Sequence, residues 1–409
     1  MKIVRIIARL NVGGPARHVV WLNEALQDEG FESVLLTGRV PEGEEDMAYF
    51  ASELGVRPVF IEEMSRELST NDLISLWKVY KHLVREMPNI LHTHTAKADT
   101  VGRIAGFLYR WFTLSTLIGK PREVKIIHTF HGHIFHSYYG NLKTKIFLFI
   151  EKVLAKFATD KIIVISEQQR REIHEEFGVG NAKQFKVIPL GIDIDIYGEA
   201  PEKRSVLRDE IGAKEDEIIV GLVGRLTEVK NHELFLSVIK EYKERKEIDF
   251  PKLKFVIIGD GHLREGLERK TEEFNMSDTV RFLGNRNDAD VFYAGLDIVA
   301  LTSLNEGTPL SLIEAMANEK PVISTSVGGV VDLLGDAIEE KNGVIYCERG
   351  LRVASDDAAS FFEGLISLAS NSELRVNTSR AGREFVQAKY SKNRLVNDIR
   401  NLYVDLTQN

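Results

Sequence analysis

The stretch 297–320, DIVALTSLNEGTPLSLIEAMANEK, decides how the half of the chain around it folds. Ile298 to Leu304 is a short apolar run of the length of a buried strand. Asn305, Glu306 and Gly307 break it as a loop. Thr308 reads as an N-cap and Pro309 as the first helical residue, where a missing N–H costs nothing. The helix that follows, Leu310 to Asn318, is apolar on nearly every side, which predicts burial. The loop and the helix start therefore sit at the carboxyl end of a strand.

Two carboxylates lie in this setting, Glu306 in the loop and Glu314 inside the helix. A carboxylate in an apolar helix is costly unless something polar meets it. Glu314 could simply reach solvent or pair with a structural lysine. The unit as a whole supports a second reading. Free N–H groups and the positive end of a helix dipole suit a diphosphate. Glu306 and Glu314 would then accept hydrogen bonds from sugar and ribose hydroxyls on either side, as in a nucleotide-sugar site.

Glu306 and Glu314, spaced within NEGTPLSLIEAMA, resemble the paired-glutamate signature of retaining family 4 glycosyltransferases (glycosyl transferases group 1). The resemblance implies an α/β chain of the GT-B fold, two Rossmann-like domains facing across a cleft. It implies that Glu306 lies against the donor sugar and Glu314 holds the ribose. The backbone of Gly307, Thr308, Pro309 and Leu310 would meet the diphosphate.

Composition sets outer bounds. At 409 residues the chain is long for one domain, and two of about 200 are the natural expectation. A hydrophobic content of 44% with 28% charged residues describes a globular protein with ample core. The net charge of -8 gives no reason to expect nucleic acid. Cys347 is the sole cysteine, so no intrachain disulfide can form and a reducing cytosol fits. MKIVRIIARLNVGG carries Arg5 and Arg9 and reads as a first strand rather than a signal peptide. No charge-free run approaches the ~20 residues needed to cross a bilayer. A cytoplasmic protein, peripheral at most at the inner face of the membrane, is expected.

The first half alternates strands and helices, which implies a parallel sheet covered on both faces. KIVRIIARL is a strand ending at the turn Asn11-Val12-Gly13-Gly14, and Pro15 opens a helix to about Gln27. FESVLLTG, RPVFIEE, PNILHTH, VKIIHTFHGH and DKIIVISE follow as strands. Gly13 and Gly14 lack the G-x-G-x-x-G spacing of a dinucleotide fingerprint. They read either as a plain tight turn or as a close backbone approach to a ligand, and the resemblance favours a loop over the donor diphosphate.

Five histidines fall at two strand ends: His92 and His94, then His128, His131 and His133. No carboxylate or cysteine lies near them in sequence to complete a mixed metal set, so no metal and no cofactor is expected. Several read as buried, hydrogen-bonded imidazoles. The resemblance makes HTFHGH an acceptor-side loop in which His131 faces the donor sugar, with His94, Thr95, Lys97 and His133 on the acceptor side. Between Arg103 and Lys156 the acids are only Glu123 and Glu151. The bases there are Arg103, Arg110, Lys120, Arg122, Lys125, Lys143, Lys145, Lys152 and Lys156. With interleaved aromatics this is either a solvated face over core helices or an anionic-membrane surface serving a lipid-linked acceptor.

KVIPLGIDIDIYG resembles the family's interdomain hinge, and the charged segment after it suits a linker with a short helix. The second half repeats the alternation, with KPVISTSVGG as the last clear strand and NGVIYC as another candidate. After Gly328-Gly329, Val331 and Asp332 replace the Pro and Glu of the family pattern, which leaves the local turn open. The expected domains are 1–195 for acceptor and 196–389 for nucleotide sugar, with a helix near 390–409 crossing back onto the first.

Arg225 and Lys230 flank the end of an apolar strand, where open α/β sheets bind ligands. Alone they would be surface charges. GRLTEVKN resembles the family's Gly-Arg-Leu…Lys-Asn segment, whose Arg and Lys neutralise the leaving diphosphate. Gly259, Asp260, Gly284 and Asn285 would line the nucleotide pocket.

The implied reaction moves a hexosyl unit, with retention, from a nucleoside-diphosphate sugar to a hydroxyl of a glycan or lipid-linked acceptor of cell-surface polysaccharide. UDP is favoured over GDP by family frequency. Glu306 would orient the sugar rather than act as a glycosidase nucleophile, because no second carboxylate is placed opposite it. Arg225, Lys230 and His131 complete the expected catalytic set. The alternatives are a sugar-nucleotide epimerase on the same scaffold and a nucleotide-sugar-binding module without turnover.

Overall fold

The computed structural model describes residues 1–11, 14–28, 30–41, 46–64, 71–94, 96–131, 141–198, 201–245 and 250–408. The chain divides into two compact units, one of Met1–Gly191 with Lys392–Asn409 and one of Ile192–Ser391.

The first unit carries strands β1 (Lys2–Arg9), β2 (Glu32–Gly38), β3 (Val59–Phe60), β4 (Ile90–His94), β5 (Lys125–Thr129), β6 (Lys161–Val164) and β7 (Phe185–Val187). They form one parallel sheet in the order β3-β2-β1-β4-β5-β6-β7. Strand β1 is apolar on both sides because both sheet faces are covered. Val4 and Ile6 pack under the helices Asn71–Glu86 and Ala96–Trp111. Ile3 turns the other way, towards Leu22 of the helix Gly14–Ala25 and Leu395 and Tyr403 of the helix Lys392–Gln408. The C-terminal helix thus belongs to the first unit's core.

The second unit carries β8 (Glu217–Val223), β9 (Lys252–Ile258), β10 (Val280–Gly284), β11 (Ile298–Leu301), β12 (Val322–Thr325), β13 (Ala337–Lys341), β14 (Val344–Cys347) and β15 (Gly350–Val353). The sheet order is β10-β9-β8-β11-β12-β15-β14-β13. Val220 and Leu222 face the helices His232–Glu244 and Ala358–Ser370, whereas Ile219 faces the helix Leu310–Ala317.

Several sequence expectations need correction. β15 pairs parallel with β12, but β14, which is the candidate strand NGVIYC, and β13 continue the sheet antiparallel, so the second sheet is mixed, and β13 and β15 are strands beyond those expected. These short strands are punctuated by Asn342, Gly343 and Gly350 at positive φ, and all five residues of β13 are exposed, which hides the apolar signal of a strand. RPVFIEE shrinks to the two residues of β3 at the sheet edge. Thr308 is not the cap of the helix Leu310–Ala317. Pro309 holds that place with an extended ψ of 98°, and its carbonyl accepts from the amides of Leu312 and Ile313. Arg103 is not part of a solvated basic face: it is fully buried between Asp99 and Glu151. Arg110 pairs with Asp160.

Candidate active site

Both sheets reverse their strand order beside their first strand, between β1 and β4 in one and between β8 and β11 in the other. A crevice at the carboxyl ends of two such strands is where open α/β sheets hold ligands, because the connecting loops leave in opposite directions. In the second unit the segments at that point are 224–231 after β8 and 302–310 after β11.

The two segments are tied together by their own backbones. The Leu304 amide donates to the Val229 carbonyl (2.8 Å), and the Thr302 hydroxyl to the Lys230 carbonyl (2.9 Å). Lys230 Nζ meets Glu306 Oε1 at 2.5 Å, and Ser303 Oγ donates to the same oxygen at 2.6 Å. Both charged side chains are largely shielded, 19% exposed for Lys230 and 11% for Glu306. Asn231, at φ 46°, turns the chain from the Lys230 loop into the next helix. Arg225 is exposed, and its guanidinium has no side-chain partner among the described residues.

The loop 304–309 is held from a third side. The Gly329 amide donates to the Glu306 carbonyl (3.0 Å), and a Cβ on Gly329 would fall 1.8 Å from the Gly307 carbonyl oxygen. Only glycine lets the two backbones meet, which accounts for the Gly328-Gly329 pair despite the altered residues after it. A short helix, Val330–Leu334, follows. Among the described residues, the amides of Gly307, Thr308, Leu310 and Ser311 donate to no protein acceptor. Four free donors at a helix start can offer hydrogen bonds to an anion.

Glu314 is half-buried, and its Oε2 accepts from the Tyr293 hydroxyl at 3.2 Å. That hydroxyl also lies 3.0 Å from the Ser311 carbonyl, and burial holds the Tyr293 pKa well above its ordinary value. The single O–H proton of Tyr293 is therefore shared between the Ser311 carbonyl and the Glu314 carboxylate, and the hydroxyl holds that carboxylate in place. Gly259 (φ 135°) and Gly261 lie flat on the 224–226 segment: Cβ atoms there would meet the Gly224 and Leu226 carbonyl oxygens at 2.1 and 2.4 Å. Asp260 is held by the Gly261 amide and Arg264, which depress its pKa. Gly284 ends β10 at φ 67°, and Asn285 beside it is exposed.

In the first unit, His94 ends β4 and His131 follows β5, with His94 Nδ1 and His131 Nε2 2.9 Å apart. His18, on the helix Gly14–Ala25, joins them; one ring nitrogen from each of the three lies within 4.8 Å of the others. Burial pushes His131 down to about 3 and His18 and His94 well below the ordinary histidine value, so all three are neutral. Neutral imidazoles at this spacing could hold a divalent transition metal, or hydroxyls of a substrate. His92 and His128 are structural. His92 is bonded to Tyr403 and Thr129, and His128 to Asp99 and Thr93, with burial pushing His128 down to about 3. Gly14 opens the helix that carries His18. Gly13, Thr95 and His133 lie outside the described residues, as does the side chain of Lys97.

The sequence reading did not single out Ser303, Tyr293 or His18. Ser303 and His18 carried a signal, each being a polar residue one turn from a residue already marked at a strand end. Tyr293 carried none, because only the packing of its short helix brings it to Glu314.

Two family profiles tile this chain. The profile described as Glycosyltransferase Family 4 matches residues 12–196, and the one described as Glycosyl transferases group 1 matches 203–385. The chain belongs to the family 4 glycosyltransferases. This glycosyltransferase is 28% identical, over 87% of its length and 85% of the relative's, to the UDP-Gal:alpha-D-GlcNAc-diphosphoundecaprenol alpha-1,3-galactosyltransferase of Escherichia coli. It is 26% identical, over 83% of each chain, to the capsular polysaccharide biosynthesis glycosyltransferase CapM of Staphylococcus aureus. Its fold is that of the GT-B enzymes. Anabaena HepE, solved with UDP and glucose, superposes with a TM-score of 0.77 over 99% of this chain and 100% of the other at 19% identity. A glycosyltransferase from Rickettsia africae gives 0.78 over 100% and 99% at 17% identity.

Proposed function

We propose that this glycosyltransferase transfers a hexosyl unit from a UDP-sugar to a hydroxyl of a glycan or lipid-linked acceptor in surface-polysaccharide synthesis, with retention and without a metal. The observation that carries the reading is the gathering of Lys230, Glu306 and four free amides at one switch point. A diphosphate supplies the anion those donors lack.

In this reading the amides of Gly307, Thr308, Leu310 and Ser311 take the distal phosphate, and Lys230 and Arg225 take the charge that grows as the sugar leaves. Cations already in place cost no reorganisation at that moment, which is how such groups lower a barrier. Lys230 is paired to Glu306 in the free protein, so donor binding shares one ammonium between carboxylate and phosphate. That sharing fixes Glu306 beside the sugar, where it orients hydroxyls and stabilises positive charge at the anomeric carbon. The acceptor oxygen bonds to that carbon as the sugar–phosphate bond breaks. The acceptor proton passes to the departing diphosphate, and attack on the same face gives retention. Glu314, held by Tyr293, takes the ribose hydroxyls. In the first unit His131, with His94, is assigned to the transferred sugar and the acceptor.

Relatives support the choice of carrier: the Escherichia coli enzyme uses UDP-Gal and an undecaprenol-linked acceptor, and HepE was solved with UDP. Thermal-shift screening against UDP-, GDP- and ADP-sugars tests it, followed by transfer assays with the best donor in excess EDTA. A UDP-sugar should raise the melting temperature and the product should keep the donor's anomeric configuration. Stabilisation by GDP- or ADP-sugars alone, or activity abolished by EDTA, would contradict it.

A further inference from the structure

The helices Asn71–Glu86, Ala96–Trp111 and Asn141–Phe157 lie side by side on one face of the first sheet. Their inner residues are ordinary core. Their outer residues are not an ordinary solvated surface. On the first helix Leu73 is 74% exposed and Trp77 55%, one turn apart; on the third, Phe149 is 68% exposed and Phe157 58%. At the end of the middle helix, Phe112 is 66% exposed. Large apolar side chains in such number across one layer mark a contact surface.

The fully exposed charged residues of the layer are basic; the acids at the two ends of the first helix, Asp72 and Glu86, are partly buried, and Glu86 pairs with Lys2 and Arg85. Lys145, Lys152 and Lys156 are exposed along the third helix, at the spacing that puts them on one stripe with Phe149, while its one acid, Glu151, is buried against Arg103. On the first helix Lys81 Nζ sits 3.8 Å over the Trp77 ring, and Arg85 is exposed beyond it. Among the described side chains of the three helices no carboxylate is exposed. This holds in a chain whose net charge is -8, so the cations are concentrated here against the overall balance. Between the first two helices, Leu73, Leu76, Trp77, Tyr80, Leu108 and Phe112 line an open trough of about 250 Å³.

We infer that this helical layer docks on an anionic lipid bilayer, its lysines at the headgroups and Trp77, Phe112, Phe149 and Phe157 in the acyl boundary. Interleaved aromatics and lysines with no fully exposed acid match an interface that is apolar below and negative above. The trough is apolar enough to take a segment of lipid tail. No helix among the described residues is long and apolar enough to cross a membrane, so the attachment is peripheral. The proposal gives a lipid-linked acceptor a place to be met, but it does not depend on the donor site, and vesicle binding is read without transfer.

The test is co-sedimentation of the full chain with vesicles of phosphatidylethanolamine and phosphatidylglycerol, against vesicles of phosphatidylcholine alone. Binding to the anionic vesicles only, weakened by salt and accompanied by a blue shift of tryptophan emission, is the expected result. Lys152→Glu with Lys156→Glu should weaken it by more than about tenfold, since each basic residue near such a surface contributes severalfold. Phe149→Ser with Phe157→Ser should weaken it comparably while leaving the circular dichroism spectrum and UDP-sugar stabilisation unchanged. Wild-type protein left in the supernatant would overturn the proposal. So would unaltered binding by both double variants, or a dimer in solution that either double variant dissolves.

Discussion

Lys230 Nζ and Glu306 Oε1, 76 residues apart in sequence, stand 2.5 Å apart at the carboxyl ends of two neighbouring strands. The pair joins the loop that supplies positive charge to the loop that supplies the amides. Removing the ammonium alone strands a shielded carboxylate, at about 1–3 kcal/mol. Lys230→Met should therefore lower the melting temperature, and adding Glu306→Gln should recover most of the loss. Denaturant unfolding of the two single variants and the double one reads the coupling; additive losses would mean that the pair does not act as a unit.

Glu306 is assigned to the sugar rather than to the nucleotide. Glu306→Gln should cut transfer by about a hundredfold or more, the cost of losing one preorganised charge at a reacting centre. Its affinity for UDP should stay within a few-fold of wild type. Kinetics with titration calorimetry on the same preparation separates the two; unchanged turnover would remove Glu306 from the reaction.

The paired glutamates and the two cations could be marked from the sequence because Arg225, Lys230 and Glu306 follow apolar strand runs and Glu314 lies in the apolar helix after one. The sequence did not make legible what holds them. Tyr293 reaches Glu314 only because two helices pack, and Ser303 sits inside a run that reads as strand. The edge strand β13 was hidden for a related reason: AIEEK is exposed throughout and has no apolar face to declare it, whereas β14 falls on the apolar run of NGVIYC. Arg103 was misread in the other direction. A charge in a helix looks like surface until its buried partners, Asp99 and Glu151, are known.

Gly329 gives a prediction that rests on packing alone. A methyl group there would overlap the Gly307 carbonyl, so Gly329→Ala must displace the amide loop. Overpacking of this kind costs about 1–3 kcal/mol. The variant should remain folded and bind UDP at least about tenfold more weakly; wild-type affinity would show that the loop's position is irrelevant to the donor.

The buried histidines set an acid limit on stability. Burial holds His128 and His131 down to about 3 and His232 to about 4, against 6.5 unfolded. The unfolded chain therefore binds more protons between these limits. Stability should fall as pH drops through about 6.5 toward 4. Asp99 and Glu151, raised by burial, act in the opposite sense around and above their ordinary carboxylate values and blunt the lower part of the fall. Unfolding midpoints across this range test it; a midpoint unchanged from pH 7 to pH 5 would mean that the histidines are not held neutral.

The most direct test of the donor site is calorimetric titration of uridine diphosphate into the wild type and into Arg225→Met, Lys230→Met and Glu314→Ala. Each lost charged contact is worth about 1.5–3 kcal/mol, so each variant should bind roughly tenfold to a hundredfold more weakly. Wild-type affinity in all three would contradict the assignment of this switch point to a sugar nucleotide.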